Sequence, residues 1–468
     1  MADTKEGLSR VLRPFGQEQL LAFWERLSDD EKRELAAAIR SIDLDLMRKL
    51  IQPQAAQAAR KEQLRPQDFI RLPKDERSQE AWANARAAGQ EALRAGRVAA
   101  MVVAGGQGTR LGFDGPKGEF PIGPVTNRTL FQILAEKVLA ASCRYGRAVP
   151  FLVMTSSFND AETRYFFNRH NFFGLPPGTV RIFEQGEMPA VDDEGKLILD
   201  APGHVFMSPN GHGGSLKALW DSGTIEWLEG QGIDAISYFQ VDNPLVRAVD
   251  PAFIGFHLSG RAEMSLKLLT RTIPDEKLGI WLNAGGRAKI IEYSDMTKED
   301  MHAADEKGAL KYAGGSIAIH CFSVAFARRL NEEGFALPYH RAHKKVPYVD
   351  ADGSTVSPGE PNATKFEMFV FDALEFTDKV TAVETAREDE FSPVKNAEGA
   401  DSPETAMRDL CRLYGRWLEA AGVSVPLGDD GYPLQKIEIS PLIADDEETL
   451  KMNYRGPGKI AGPLVVSR

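Results

Sequence analysis

The run Ala104-Gly105-Gly106-Gln107-Gly108-Thr109-Arg110-Leu111-Gly112 is followed closely by Pro116-Lys117-Gly118. Close glycines after a strand let backbone N–H groups approach an anion without Cβ interference. Arg110 can hold phosphate oxygens bidentately, and Lys117 adds a second positive charge. A bare GG-x-G would be a tight turn with solvated neighbours. Arg110 and the PKG turn at this distance favour phosphate. Two nucleotide loops fail on spacing. A Walker A loop needs Ser or Thr after its lysine, and Gly118 follows Lys117. The dinucleotide fingerprint needs glycine or alanine where Leu111 stands.

Asp242-Asn243 directly follows the apolar run AISYFQV. A carboxylate there suits Mg²⁺, which takes oxygen ligands and shares them with substrate phosphates. A DN pair by itself would more often cap a turn. In the segment from Arg387 to Asn396, Lys395 stands apart, because Phe391 and Pro393 can pin the loop while the ammonium points inward. The Gly211-His212-Gly213-Gly214 turn carries one imidazole able to donate to a phosphate or sugar oxygen. No GxSxG or HExxH pattern and no Ser/His/Asp arrangement stands out.

The elements that must position these residues read as α/β. VAAMVVA from Val98 is a continuous apolar run, as in a strand covered by helices on both faces. Similar runs fall at Phe151–Met154, Val180–Phe183 and Ala235–Val241. Thr129-Leu130-Phe131-Gln132 has the form of a capping box opening a helix. Alternating strands and helices predict a mostly parallel sheet that binds ligand at its strands' C-terminal ends. Residues 1–95 read as helical, with a capping box at Ser28–Glu31 and Leu35, Ile39, Ile42 and Leu46 at helical spacing. Residues 96–400 hold the chemistry. Residues 401–468 read as a small domain, a helix over 405–421 and then mainly strands, the last at 463–466.

Length and charge bound the rest. The 468 residues allow two or three domains, and a net charge of −11 argues against broad nucleic-acid or anionic-membrane binding. The three cysteines are far apart and form no CxxC pair, so neither a disulfide scaffold nor a zinc site is expected. The N-terminal stretch lacks a signal peptide's apolar core, and no run is long enough to span a bilayer. A soluble cytoplasmic protein is expected.

Taken in order, these motifs resemble the UDP-sugar pyrophosphorylases, UTP-dependent sugar-1-phosphate uridylyltransferases, and most closely the eukaryotic-type UDP-N-acetylglucosamine enzymes. The ordered set includes AGGQGTRLG, PKG, MTSS at 154–157, QG at 185–186, VDN at 241–243, IEYS at 291–294, KKVPYVD at 344–350, FEMFVFD at 366–372 and REDEFSPVKNA. The resemblance implies a nucleotide-diphospho-sugar transferase (Rossmann-like) central domain. It implies that Ala104, Gly105, Gly106, Gly108, Thr109, Gln185, Gly211 and His212 contact UTP, with Gln185 on the uracil. Arg110, Lys117 and Lys395 would be catalytic, and Asp242 would hold Mg²⁺. Gly279, Glu292, Tyr293 and Ser316 would meet the sugar of a sugar-1-phosphate, N-acetylglucosamine-1-phosphate by preference.

Two departures fall near the sugar. His212 stands where the N-acetylglucosamine enzymes show Asn in GNGG, and Ser316 where they show Asn in AGNIANH. GHG is closer to the UDP-glucose and broad UDP-sugar enzymes, which is the alternative substrate class. A non-catalytic nucleotide-sugar binder would not need Arg110, Lys117, Asp242 and Lys395 together. A glycosyltransferase would favour a DxD motif, and Asp242-Asn243-Pro244 is not one.

Overall fold

A computed structural model describes residues 4–52 and 63–467. The chain divides into two compact units built from interleaved segments. The first takes Met1–Glu62, Gln185–Ser215 and Ala336–Asp372; the second takes Gln63–Glu184, Leu216–Phe335 and Ala373–Arg468. Residues 1–3 and 53–62 of the expected helical N-terminal segment lie outside the described residues.

The second unit is an α/β body around a nine-stranded sheet. Val98–Val103 is buried at every position, as its apolar run requires. It pairs in parallel with Phe151–Thr155 on one side and Ala235–Gln240 on the other; Val180–Glu184 extends the parallel set. The C-terminal ends of these four strands therefore share one edge. Antiparallel pairing begins where Gly314–Ser323 lies beside Ala235–Gln240. Gly279–Ala284 and Arg287–Ile291 continue on that side. Gly285 and Gly286, with φ of 62° and 89°, supply the two positive values their tight hairpin demands. Met264–Thr270 pairs with Gly314–Ser323 and takes Val380–Glu384 in parallel.

Helix Leu130–Tyr145 covers one face with Leu130, Ile133, Leu134 and Val138 buried. Its expected capping box is half formed. Thr129 Oγ1 accepts the Gln132 N–H over 3.1 Å, but the Gln132 amide turns forward to donate to Glu136 over 2.8 Å. Helices Glu76–Arg94 and Pro251–Ser259 cross closely because both carry glycine at the contact. A Cβ on Gly89 would stand 1.8 Å from the Pro251 carbonyl oxygen, and one on Gly255 1.6 Å from that of Ala85. Towards the C-terminus, helix Pro403–Ala420 packs with parallel strands Ile437–Ile439 and Leu464–Val466 and helix Glu447–Asn453 around Leu410, Leu418 and Ile437.

In the first unit, Ser28 opens helix Asp29–Ser41 through the expected reciprocal bonds with Glu31. The apolar series does not continue as one helix. Ile42 is extended, and Asp43 caps a new helix, Leu44–Ile51, that carries Leu46. These helices bury Leu35, Ile39 and Met47 with Phe366 of an antiparallel sheet formed by Tyr339–Lys344, Ala363–Met368 and Val191–Asp192. Among the described residues no helix is long and apolar enough to cross a membrane, and Cys143, Cys321 and Cys411 are free thiols.

Candidate active site

The glycine-rich loop leaves the first central strand and folds back on itself. Lys117 N–H donates to Gly106 O over 3.0 Å, and Gly108 N–H to Gly115 O over 2.9 Å. The glycines serve different ends. A Cβ on Gly106 would meet nothing within 4 Å, so that position leaves the backbone open to a ligand. At Gly108 it would stand 2.7 Å from the Phe113 ring, and at Gly118 2.2 Å from that of Phe131. Those two glycines let the loop pack. Arg110 is exposed on the turn Thr109–Leu111, and its guanidinium makes no ion pair or hydrogen bond with another described residue.

Sequence reasoning passed over the residues that clamp this loop. Ser156 Oγ donates to Gly105 O over 2.8 Å. The Asn159 amide donates to Ala104 O over 2.9 Å, while its oxygen accepts the Ser156 N–H over 2.9 Å. Both residues are buried. The MTSS motif was the available signal for Ser156; nothing distinguished Asn159 from an ordinary turn residue.

Asp242 follows strand Ala235–Gln240 at the edge where the parallel strands end, 3.9 Å from Lys117 Nζ, and the two side chains are only 19% and 15% exposed. The segment carrying Lys395 arrives at the same place. Val394 N–H donates to the Asp242 carbonyl over 2.8 Å. The buried Asn243 amide donates to Glu390 O over 2.7 Å and accepts the Ser392 N–H over 3.2 Å. Lys395 Nζ stands over the Phe391 ring, 5.9 Å from its centroid. Phe391 is buried, as a residue pinning this loop must be.

Beneath that loop lies a buried ion cluster, also missed. Lys267, 2% exposed, donates to Asp250 over 2.6 Å and to both Glu390 oxygens over 2.5 and 2.6 Å. Burial alone would raise the Asp250 pKa, but the Lys267 ammonium and the Arg247 guanidinium overcome it and hold that carboxyl well below the usual range. Lys267 sits within the mostly apolar strand Met264–Thr270, so its side chain could be assigned no partner without the fold.

The residues expected at the sugar also assemble. Gly279 pairs directly with Ser316 across two antiparallel strands. A Cβ on Gly279 would stand 3.5 Å from Glu292 Oε1 and 3.8 Å from Ser316 Cβ. Tyr293 starts the following turn and packs with Ile280 and Leu282. His320 lies opposite Tyr238, so the antiparallel run carries Gly314–Ile317 towards the end of strand Ala235–Gln240 from which Asp242 continues.

Gln185, Gly211 and His212 belong to the first unit. Gln185 is 8% exposed. Asn210 links the two turns: its N–H donates to Gly186 O over 3.0 Å, and its amide fills the space that Cβ atoms on Gly186 and Gly214 would occupy. Asn210 Oδ1 is buried with no hydrogen-bond partner among the described residues. His212 Nδ1 accepts the Val370 N–H over 3.2 Å, which leaves the proton of a neutral ring on Nε2. Burial, with His340 nearby, pushes its pKa down to about 4, so the ring is a neutral donor.

Among the described residues no cluster of three or more His, Cys, Asp or Glu could hold a metal. A lone Asp242 fits an Mg²⁺ whose remaining ligands are phosphate oxygens and water, and does not suit an all-protein cage.

Residues 44–408 match the family described as UTP–glucose-1-phosphate uridylyltransferase. The chain is 36% identical to a UDP-N-acetylhexosamine pyrophosphorylase-like protein 1 of Homo sapiens, across 100% of this chain and 97% of that protein. It is 32% identical to UDP-N-acetylglucosamine diphosphorylase 1 of Arabidopsis thaliana, across 97% and 91%. The crystal structure of the UDP-N-acetylglucosamine pyrophosphorylase from Trypanosoma brucei in complex with inhibitor superposes with a TM-score of 0.82 at 28% identity, covering 100% of this chain and 99% of that one. A glycine-rich loop, an Asp242 at the strand ends and a match over most of the length agree: this chain belongs to the UTP–glucose-1-phosphate uridylyltransferase family.

Proposed function

We propose that the protein transfers a uridylyl group from UTP to a sugar-1-phosphate, releasing pyrophosphate, and that N-acetylglucosamine-1-phosphate is its preferred acceptor. The observation that carries the reading is the convergence of Lys117, Asp242 and the Lys395 loop at the strand ends, within a chain of this family. A phosphate oxygen of the sugar-1-phosphate attacks the α-phosphorus of UTP. The bond from that phosphorus to the bridging oxygen breaks, and pyrophosphate leaves with the electron pair. The attacking phosphate is already ionised at neutral pH, so no general base is needed.

Two anions must be brought together, and the chain's task is positioning and charge neutralisation. Lys117 and Lys395 neutralise the transferred phosphate, and exposed Arg110 reaches the UTP phosphates from the loop. Asp242 would hold Mg²⁺, which would supply further positive charge for the phosphates. Gln185, Gly211 and His212 carry nucleotide-contacting roles, and Gly279, Glu292, Tyr293 and Ser316 face the sugar. The names borne by the relatives favour the N-acetyl sugar. Ser316 and His212 favour a looser choice that also admits glucose-1-phosphate or galactose-1-phosphate. Free thiols suit a reducing cytoplasm. Pyrophosphate release measured with UTP and each sugar-1-phosphate tests the reading. Turnover should require UTP, be strongest with the N-acetyl sugar, and fall away with ATP, GTP and CTP. Equal use of ATP, or no release with any sugar-1-phosphate, would sink it.

A further inference from the structure

A cavity of about 430 Å³ opens in the second unit, lined by the Leu245–Val249 stretch just past Asp242-Asn243. It includes none of Arg110, Lys117, Asp242 or Lys395. Leu410, Leu413 and Trp417 of helix Pro403–Ala420 form an apolar wall. Lys137 and Arg247 add cationic groups to the lining, and Arg86 lies 3.9 Å from Glu448.

The acids on its rim are already engaged. Arg144 pairs with Asp446 over 2.7 Å and Asp445 over 3.3 Å, Lys451 with Glu447 over 2.5 Å, and Arg416 with Asp389 over 2.5 Å. Two donors are not matched. The Tyr145 hydroxyl is buried without a hydrogen-bond partner among the described residues. Arg247 makes no hydrogen bond or close ion pair with a described residue, although Asp250, Glu390, Asp446 and Asp445 act on it at longer range. Unmatched donors beside an apolar wall call for an occupant that has both an acceptor and an apolar body.

Lys137 connects this cavity to the reaction. Its Nζ donates to Pro244 O over 2.5 Å and Val246 O over 2.7 Å, the carbonyls directly after Asp242-Asn243. Burial pushes the Lys137 pKa down to about 7, so an anion arriving beside it strengthens the charged form. Asp389 also lines the cavity and immediately precedes the Glu390 that anchors the Lys395 loop. An occupant therefore touches both segments that meet at Asp242.

We propose that this cavity binds a small organic anion with an aromatic or apolar body, a carboxylate or phosphate monoester, and that its occupancy regulates turnover through the Asp242 turn. The regulatory half rests on the uridylyltransferase reading; the binding half does not. Full-length protein is titrated with anilinonaphthalene sulfonate, a fluorescent aromatic anion, in the presence of saturating UTP. One saturable site is expected. Benzoate or phenyl phosphate displaces the dye, and the tighter competitor names the headgroup. Arg86→Glu, a half-exposed rim change, weakens dye binding about fivefold. Val249→Trp fills the cavity and abolishes binding; both variants keep the wild-type circular dichroism, and Arg86→Glu keeps the basal turnover. The tighter competitor changes wild-type kcat or the KM for UTP by about fivefold and leaves Val249→Trp unaffected. Loss of dye binding to UTP, failure of both competitors, or unchanged binding in both variants overturns the site. Binding without any change in turnover overturns the regulation. A wild type inactive with every sugar-1-phosphate would defeat the functional reading while leaving the binding measurements interpretable.

Discussion

The Asp242 carbonyl oxygen accepts the Val394 N–H over 2.8 Å, a backbone bond that, with the Asn243 amide, joins the end of a central strand to the loop bearing Lys395. The Asp242 carboxylate takes no part in that bond. Its chemistry can therefore be changed without releasing the loop, and the reverse holds for the groups that anchor the loop from below.

Asp242→Asn keeps the shape and the carbonyl bond and removes the charge that would hold Mg²⁺. Turnover should fall by about a hundredfold to a thousandfold, the scale of losing one transition-state charge partner. The denaturation midpoint should stay near the wild-type value. Wild-type turnover should cease on adding EDTA and return with excess Mg²⁺. Activity that survives EDTA would remove the metal, and full activity of the variant would remove the residue.

Lys117→Met and Lys395→Met should each cost about 3–4 kcal/mol of transition-state stabilisation, read as kcat/KM for the sugar-1-phosphate. Groups that neutralise one phosphate act as a unit, so the double variant should lose less than the two losses combined. Strict additivity would place them on separate phosphates.

Lys267→Met strands two buried carboxylates, Asp250 and Glu390. Breaking such a cluster from one side costs about 3–5 kcal/mol. The midpoint of urea unfolding should drop accordingly. Adding Asp250→Asn and Glu390→Gln should recover much of the loss, since neutral amides tolerate burial better than unpaired carboxylates. A stability loss of well under about 1 kcal/mol for the single variant, taken as the midpoint shift times the slope, would show that the cluster contributes little.

His212 has a folded pKa of about 4, below its ordinary 6.5, with burial the main cause. Between those values the unfolded chain binds more protons than the folded one, so protonation favours unfolding. Stability relative to His212→Asn should hold at neutral pH and decline as pH falls from about 6.5 towards about 4. Unfolding curves at a series of pH values check this. Parallel trends for the two proteins would mean the imidazole titrates alike in both states.

Ser316 pairs with Gly279 and lies on the Glu292 side of the hairpin. Ser316→Asn adds an amide where the N-acetylglucosamine enzymes carry one. The kcat/KM ratio of N-acetylglucosamine-1-phosphate to glucose-1-phosphate should rise by about threefold to tenfold, the worth of one added hydrogen bond. An unmoved ratio would place Ser316 away from the substituent that distinguishes these sugars.

What could be read along the chain was local or charge-based. The buried strands at Val98 and Phe151 were legible because a strand covered on both faces is apolar throughout, whereas the run at Val180, expected to be alike, forms the sheet's edge strand, carries Arg181 and buries only Phe183. The Gly-rich loop and Asp242 could be placed at strand ends because each directly follows an apolar run, while the arrival of Lys117 and the Lys395 loop beside Asp242 was decided by the fold. Partnership between distant residues was not. Lys267 reads as an interruption of an apolar strand, and only the approach of Asp250 and Glu390 makes it an anchor. Asn159 reads as a turn residue until it is found holding Ala104. Gly108 looks like a ligand-facing glycine, yet the ring of Phe113 is what excludes a Cβ there. The interleaving of the two units was likewise decided only in three dimensions. Hydrophobic periodicity reports which face of a segment is buried, and pairing across hundreds of residues is what determines against what.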